Sequence, residues 1–551
     1  MNDGTDHTSG DSTGMQTLLL GLDAACDTVL EPVFDRGVAP TLESLLADAE
    51  TAPLTSQMPP WTPSAWPSLY TGVNPGKHGS FGFLTFDGYD YDVVDATEVR
   101  ELALWELLDE HDKSSVVVNV PVTHPPGEFD GALIPGYVAP EDPPCHPDGI
   151  LDDVEDEIGD YRVYAPPHDE LTDDEREQWY RRLTHMRGET FRYLADRFDP
   201  EFGFLQFQQI DTVFHEYPGD WDTAASVYEA VDEEVRKTLE SCDPDTVVVA
   251  SDHGMGEYTG VEFRVNDYLA DHGFVTSTAG EGGMPSWSTI ARNRHFNGDD
   301  EETTDDGPDL LQRGLSLAAK VGLTSQRIGA VLEAAGLKEF VLDRVSVDAV
   351  RAASEQVDFP ASTAFMRSRV ECGVRLNVEG RDPNGVVPAA ERDRVRDEVI
   401  ESLRAATTPA GDPIFEEVAP REAYFDGPYV EEAADILVVP TAWDHYLSAQ
   451  YHEEPFDDPS PCFNHKRDGI VALGGDAVDR SATLDRAHLY DVAPTVLATL
   501  GVPVSDRMDG ERLPLVPDVP EREYPEYDGE QDGMDTTDAV EDQLSHLGYI
   551  E

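Results

Sequence analysis

Six residues of two metal-binding types stand beside apolar runs in this sequence. Asp23 closes Leu18–Leu22, Asp211 follows Phe202–Phe207, and Asp252-His253 follows Val247–Ala250. His215 lies four residues after Asp211, a spacing that puts both on one face of a helix or tight turn. His465 sits in Asn464-His465-Lys466-Arg467-Asp468-Gly469, just before a strand candidate, Ile470–Leu473. Taken singly, each is ordinary. Asp-His occurs at 6–7, 252–253, 271–272 and 444–445, and only the second follows a β-branched run and precedes Gly254. An Asp/His pair four apart is commonly a surface ion pair, and a lone His is commonly structural. As a set, three aspartates and three histidines supply oxygen and imidazole donors. That mixture suits zinc, with manganese the alternative, and needs no thiolate. Six ligands suffice for two divalent ions, and a paired-metal site clamps the attacking and leaving oxygens of phosphoryl transfer.

Such a site needs a nucleophile. The segment Met58–Gly79 is rich in hydroxyls and turn formers. Thr62 followed by Pro63 reads as a helix N-cap with proline at the first helical position. A hydroxyl there is favoured as an alkoxide by the helix dipole and by free backbone N–H groups. Ser64, two residues on, is the competing hydroxyl. Lys77 and His78 are candidate phosphate contacts.

The elements that must position these residues alternate in type. Apolar runs at Thr17–Leu22, Val116–Val118, Phe202–Phe207 and Val247–Ala250 read as buried strands. Helical spacing appears at Leu42, Leu45 and Leu46, over 174–198 and over 225–240. Alternation of this kind predicts a mostly parallel sheet covered on both faces, with functional groups beyond the strands' carboxyl ends. We read 1–14 as a disordered lead and 15–255 with 451–515 as a catalytic core. Residues 256–450 read as an inserted α+β cap, and 516–551 as an acidic tail with a short helix at 540–547. Within the cap, 297–309 reads as a charged loop, 310–356 as helical, Val374–Val378 and Ile436–Val439 as strands, and 389–405 as a helix.

Composition bounds the partners. The 551 residues carry a net charge of −74, and 32 of the 38 basic residues are arginine. Spread over roughly 19,500 Å² of folded surface, that is about one net negative charge per ~260 Å². Such a field repels nucleic-acid polymers and anionic membranes. With 39% hydrophobic residues the chain is folded rather than disordered, and its acidity fits a salt-loving microbe. Five scattered cysteines without a CxxC pair indicate neither a disulfide framework nor a thiolate zinc site, and fit a reducing cytoplasm. Leu18–Leu22 is too short for a signal peptide, and no run reaches the ~20 apolar residues of a membrane span.

The motifs together resemble the type I phosphodiesterase/nucleotide pyrophosphatase family of the alkaline phosphatase superfamily, nearest its phosphohydrolase/phosphomutase branch. The resemblance rests on Gly21-Leu-Asp-Ala24, on Trp61 to Phe83 with its TGVNPGKHG stretch, and on Asp211-Thr-Val-Phe-His215. It continues through Ser251-Asp-His-Gly254, His465-Lys-Arg-Asp-Gly-Ile470 and Tyr490-Asp-Val-Ala-Pro-Thr-Val-Leu. It implies an alkaline-phosphatase-like three-layer α/β core. It implies one metal held by Asp23, Asp252 and His253 with Thr62 bridging towards it, and another held by Asp211, His215 and His465. It implies Thr62 as nucleophile, a covalent phosphothreonine, and hydrolysis of a small phosphodiester, pyrophosphate or monoester; transfer to a second hydroxyl, as in a phosphomutase, uses the same site. The family's nucleotide diesterases carry an Asn shortly after the HG turn, where this chain has Phe83. If the acidity is an adaptation to salt, activity and melting temperature should both fall when salt is removed; full activity and stability without added salt, measured by assay and calorimetry, would refute that origin.

Overall fold

The computed structural model describes residues 14–166, 171–279 and 355–527. The segments 1–13, 297–309, 310–354 and 528–551, including the helix read at 540–547, lie outside the described residues. Eight strands form the main sheet: β1 (Thr17–Leu22), β2 (Glu50–Thr55), β3 (Ser115–Val118), β4 (Gly131–Ile134), β5 (Phe202–Phe207), β6 (Thr246–Ala250), β7 (Asp468–Gly475) and β8 (Ala487–His488). Their order is β8-β2-β7-β6-β1-β5-β3-β4. All run in one direction except β7, which is antiparallel to both β2 and β6. Every residue of β1, β3, β5 and β6 is buried. Successive side chains point to opposite faces, so burial of all of them means that both faces are covered. Their sequences are therefore apolar runs rather than alternating patterns.

Four helices bear on the site: α1 (Thr62–Thr71), α2 (Asp173–Phe198), α3 (Gln209–Glu216) and α4 (Trp221–Cys242). A capping box starts α2, with Glu175 N–H donating to Thr172 Oγ1 and Thr172 N–H to Glu175 Oε2. Asp220 caps α4 by accepting from the N–H groups of Asp222 and Thr223. That cap starts α4 one turn before the apolar spacing begins.

The pairing of α2 with α4 is set by a glycine. A Cβ on Gly188 would lie 2.8 Å from Glu234 Cβ, so the close approach of the two helices favours glycine. The fully buried Glu234 carboxylate accepts from Arg192 (2.6 Å), His185 (2.7 Å) and Lys237 (2.9 Å). The third layer of contacts comes from α3, which packs Phe214 against Trp221 of α4 edge-on at 5.4 Å.

Residues between 263 and 447 form a second hydrophobic cluster that includes Phe263, Leu376, Val399 and Val438. It underlies a sheet ordered Ala364–Phe365, Gly373–Leu376, Ile436–Pro440, Phe415–Pro420, with a helix at Arg392–Arg404. The helical reading of 310–356 meets a strand where it enters the described residues. Glu355–Val357 pairs antiparallel with Ser277–Ala279, and buried Val357 joins the second cluster. The strand at Glu262–Arg264 pairs with Tyr446–Ser448 and also with Phe456–Asp457. The stretch 516–527 packs onto the core: Val516 and Tyr524 are buried, and Tyr524 O–H donates to Pro503 O at 2.7 Å. Among the described residues no helix is long and apolar enough to cross a membrane.

Glu234 yields a pH prediction. Burial alone would raise its carboxyl; His185, Lys237 and Arg192 outweigh burial and hold it down to about 2 against an ordinary 4.5. A group depressed in the fold stabilises above its unfolded value, and that stability is lost as pH falls from about 4.5 towards about 2. Glu234→Gln should therefore cost about 1.5–3 kcal/mol at neutral pH and flatten the acid limb of stability plotted against pH. An unchanged acid limb in urea titrations would contradict the network's role.

Candidate active site

The parallel register brings three strand ends together. Leu22 pairs with Phe207 and Gly21 with Ala250, so β1, β5 and β6 end level with one another. Asp23 follows β1 directly, Asp252 lies two residues past β6, and Asp211 lies in the first turn of α3 beyond β5. His465 arrives on the strand Phe463–Lys466, which pairs antiparallel with Gly254–Glu257 and places His465 opposite Met255. This ribbon is tied down at its base, where Ile470 N–H donates to Ser251 Oγ at 2.8 Å. Gly254 is required there, because a Cβ would lie 2.1 Å from Asp468 O.

All six sequence-selected ligands converge. His253 Nε2 lies 3.1 Å from Asp252 Oδ2 and 3.6 Å from Asp23 Oδ1. His215 Nε2 lies 3.2 Å from Asp211 Oδ1 and 2.9 Å from His465 Nε2, which is itself 3.4 Å from Asp211 Oδ1. The two trios abut through His253 and His465, whose rings stack at 3.6 Å. In consequence Asp211, His253 and His465 also form a compact trio, so His253 borders both groups. Every member is buried.

Thr62 reaches the cluster through a change in the helix cap. The N-cap is Trp61, in extended conformation, with Thr62 at the first helical position and Pro63 at the second. The expected cap at Thr62 is corrected by one residue: Trp61 O accepts from the N–H groups of Ser64 and Ala65. The Thr62 hydroxyl is thereby free of capping and lies 3.4 Å from His253 Nε2. Ser64 Oγ is buried and makes no hydrogen bond among the described residues.

The surrounding residues orient the ligands. His465 Nδ1 donates to Pro60 O at 3.1 Å and His253 Nδ1 to Gly254 O at 3.1 Å. These partners assign the tautomers and leave an Nε2 lone pair facing the cluster on each ring. Asp23 Oδ2 accepts from Gln206 (2.7 Å) and Trp66 (3.1 Å), and Gln206 Oε1 accepts from Asn119 (2.7 Å). Trp61 packs on His465 with ring centroids 4.3 Å apart. The sequence reading did not single out Gln206, Trp66 or Asn119. Two signals were present: a lone amide inside the apolar run Phe202–Phe207, and a tryptophan one helical turn after Thr62.

Electrostatics identify what the cluster lacks. Asp23 Oδ1, Asp211 Oδ1 and Asp252 Oδ2 are buried and accept no hydrogen bond of acceptable geometry among the described residues. Burial, then Asp252 and Asp211, push the Asp23 carboxyl well above its usual range. Burial would lower His253, but the Asp252 carboxylate holds it above its ordinary value. Burial, then His253, pushes His465 well below its own. Carboxylate oxygens and imidazole lone pairs thus converge with too few protons to share. The donor set fits divalent cations.

Lys77 and His78 are engaged elsewhere. The Lys77 ammonium pairs with Asp509 and donates to Arg507 O at 2.9 Å. His78 is buried, with Nε2 2.9 Å from Ser68 Oγ and Nδ1 accepting from Ser80 N–H. Burial, with help from Arg100, lowers it to about 3, so it stays neutral. Both tie the loop after α1 to its surroundings. Phe83 is buried edge-on against Tyr137 at 6.1 Å and offers no hydrogen bond to a phosphate.

The family model for type I phosphodiesterase/nucleotide pyrophosphatase matches residues 17–470, a span containing all six candidate ligands and Thr62. No curated protein matches the chain in sequence. Among solved structures, phosphonoacetate hydrolase from Sinorhizobium meliloti 1021, in complex with phosphonoacetate, is similar with TM-score 0.50 and 14% identity, over 87% of this chain and 94% of its own. The alkaline phosphatase PafA is similar with TM-score 0.50 and 13% identity, over 91% of this chain and 99% of its own. At such identities the likeness is one of fold. The chain belongs to the type I phosphodiesterase/nucleotide pyrophosphatase family, with an alkaline-phosphatase-like α/β fold, and is a hydrolase of phosphoester bonds.

Proposed function

We propose that the cluster holds two divalent metal ions and that Thr62 is the nucleophile of a two-step phosphoester hydrolysis. Asp23, Asp252 and His253 hold one ion, and Asp211, His215 and His465 the other. Zinc is the favoured ion for this mixture of donors, with manganese the alternative. When bound, two such cations offset the three carboxylates, lower the pKa of a neighbouring hydroxyl and stabilise charge on the reacting oxygens. The observation that carries this reading is the meeting of three orphaned carboxylate oxygens with imidazole nitrogens beside a threonine hydroxyl freed from capping.

In the first step Thr62 Oγ gives up its proton to solvent and bonds to phosphorus in line, while the bond from phosphorus to the ester oxygen breaks, its electron pair leaving with that oxygen, which takes up a proton to become the product alcohol. In the second, a water oxygen bonds to phosphorus, the Thr62–phosphorus bond breaks, and the hydroxyl is restored. The first turn of α1 favours the negative charge of the attacking oxygen. The Nδ1 contacts of His253 and His465 fix ring orientation, and Gln206 and Trp66 fix Asp23. Phe83 supports a substrate preference apart from nucleotide diesters. Residues 256–450 form the inserted cap in this reading, between core segments 15–255 and 451–515.

Thr62→Ala should lower turnover of 4-nitrophenyl phosphate or its bis ester at least ~10³-fold while metal content survives. Full activity in that variant would exclude Thr62 as the nucleophile. Asp252→Asn or His465→Ala should lower the metal-to-protein ratio from about two, read by elemental analysis; a ratio that stays put would remove those residues from the ligand set.

A further inference from the structure

Helix α3 carries two neighbouring rows of side chains. Gln208, its N-cap, lies three residues before Asp211 and seven before His215. Gln209, Thr212 and Glu216 repeat that spacing one residue on, about 100° around the helix. The first row meets the metal-ligand cluster. The second lines a small recess that opens to solvent. Tyr137 and Arg176 also line it, beside apolar Val163 and Leu183. The two rows join at Gln208, which lines the cavity while its Nε2 lies 3.5 Å from Asp211 Oδ2.

The walls hold polar atoms that want partners. Tyr137, Gln208 and Gln209 are at most 5% exposed, and Tyr137 O–H, Gln208 Oε1 and Gln209 Oε1 make no hydrogen bond among the described residues. Arg176 and Glu216 pair at 3.1 Å, so these two charges cancel within the wall. Hydroxyl groups suit such a surface because each can donate to an amide oxygen and accept from a phenol. An alkyl chain would leave those buried atoms unpaired, and a cationic or anionic group would find no free countercharge in this pair.

We propose that this cavity takes a small, neutral, hydroxyl-bearing group to which the phosphoryl group is esterified, making phosphate esters of small polyols the substrate class. The assignment rests on the phosphoester-hydrolase reading of the adjoining cluster. Thr212 adds a hydroxyl to the same wall. The polyol would sit beside α3 while its phosphate faces the ligand row.

Binding of glycerol 1-phosphate, phosphoethanolamine and inorganic phosphate to the zinc-loaded Thr62→Ala protein, measured by calorimetry, tests this without turnover. The glycerol ester should bind about tenfold more tightly than phosphate, the gain expected of one or two hydrogen bonds. Tyr137→Phe and Gln209→Leu, each made in the same background, should bring that ratio towards one. Equal binding of the glycerol ester and phosphate would mean that the cavity holds only water and overturn the proposal. Tighter binding of phosphoethanolamine than of the glycerol ester would overturn the neutral class. Retained turnover in Thr62→Ala would count against the hydrolytic mechanism, while the binding ratios would still decide the cavity.

Discussion

Three aspartate carboxylates are buried at one point, and much of the local architecture serves to keep them there. Asp23, Asp211 and Asp252 belong to different strand ends, and each is withdrawn from water. Burying like charges together is costly unless cations or protons offset them. The raised carboxyl of Asp23 and the raised imidazole of His253 express that demand. The level strand ends, the ribbon carrying His465 and the amide and indole on Asp23 hold the groups against their repulsion. That geometry matches the demands of phosphoryl transfer, where positioning and charge neutralisation carry most of the catalysis.

The site was legible to the extent that burial shaped its sequence. Runs buried on both faces are continuous and apolar, so Thr17–Leu22 and Phe202–Phe207 could be read to the residue, and the acids following them stood out. Thr62 was legible as a helix start, but its register against Trp61 depended on which carbonyl takes the first helical bonds. Gln206 and Trp66 were hidden by their company, since an amide in an apolar run looks like an exception until its acceptor is known. Lys77 and His78 were legible by chemistry, but not the partners the fold gives them, distant Asp509 for one and nearby Ser68 and Ser80 for the other. The antiparallel entry of β7 left no mark in Ile470–Leu473, because an interior strand is apolar in either direction.

The net charge of −74 acts on two scales. Outside, it sets a repulsive field that salt screens within about 8–10 Å. Inside, the carboxylates of Glu234 and Asp435 are withdrawn from solvent and are answered by fixed partners. Arg381 binds Asp435 through both terminal nitrogens, at 2.7 and 2.9 Å, and Arg392 adds a third contact at 2.9 Å. Guanidinium groups form planar forks that match carboxylates, which suits a chain whose few basic residues are mostly arginine.

The place of β7 in the sheet has a consequence for synthesis. It lies between β2 and β6, so β2 and β8 join the other strands only through a segment near the far end of the core. While residues 251–467 emerge, β6 lacks its second neighbour. At 5–20 residues per second that interval lasts roughly 10–45 s. An uncovered apolar strand is a template for pairing with other chains. The nascent protein is therefore most exposed to misassociation after most of its candidate site residues have been made and before the strand that joins the two parts of the sheet has left the ribosome.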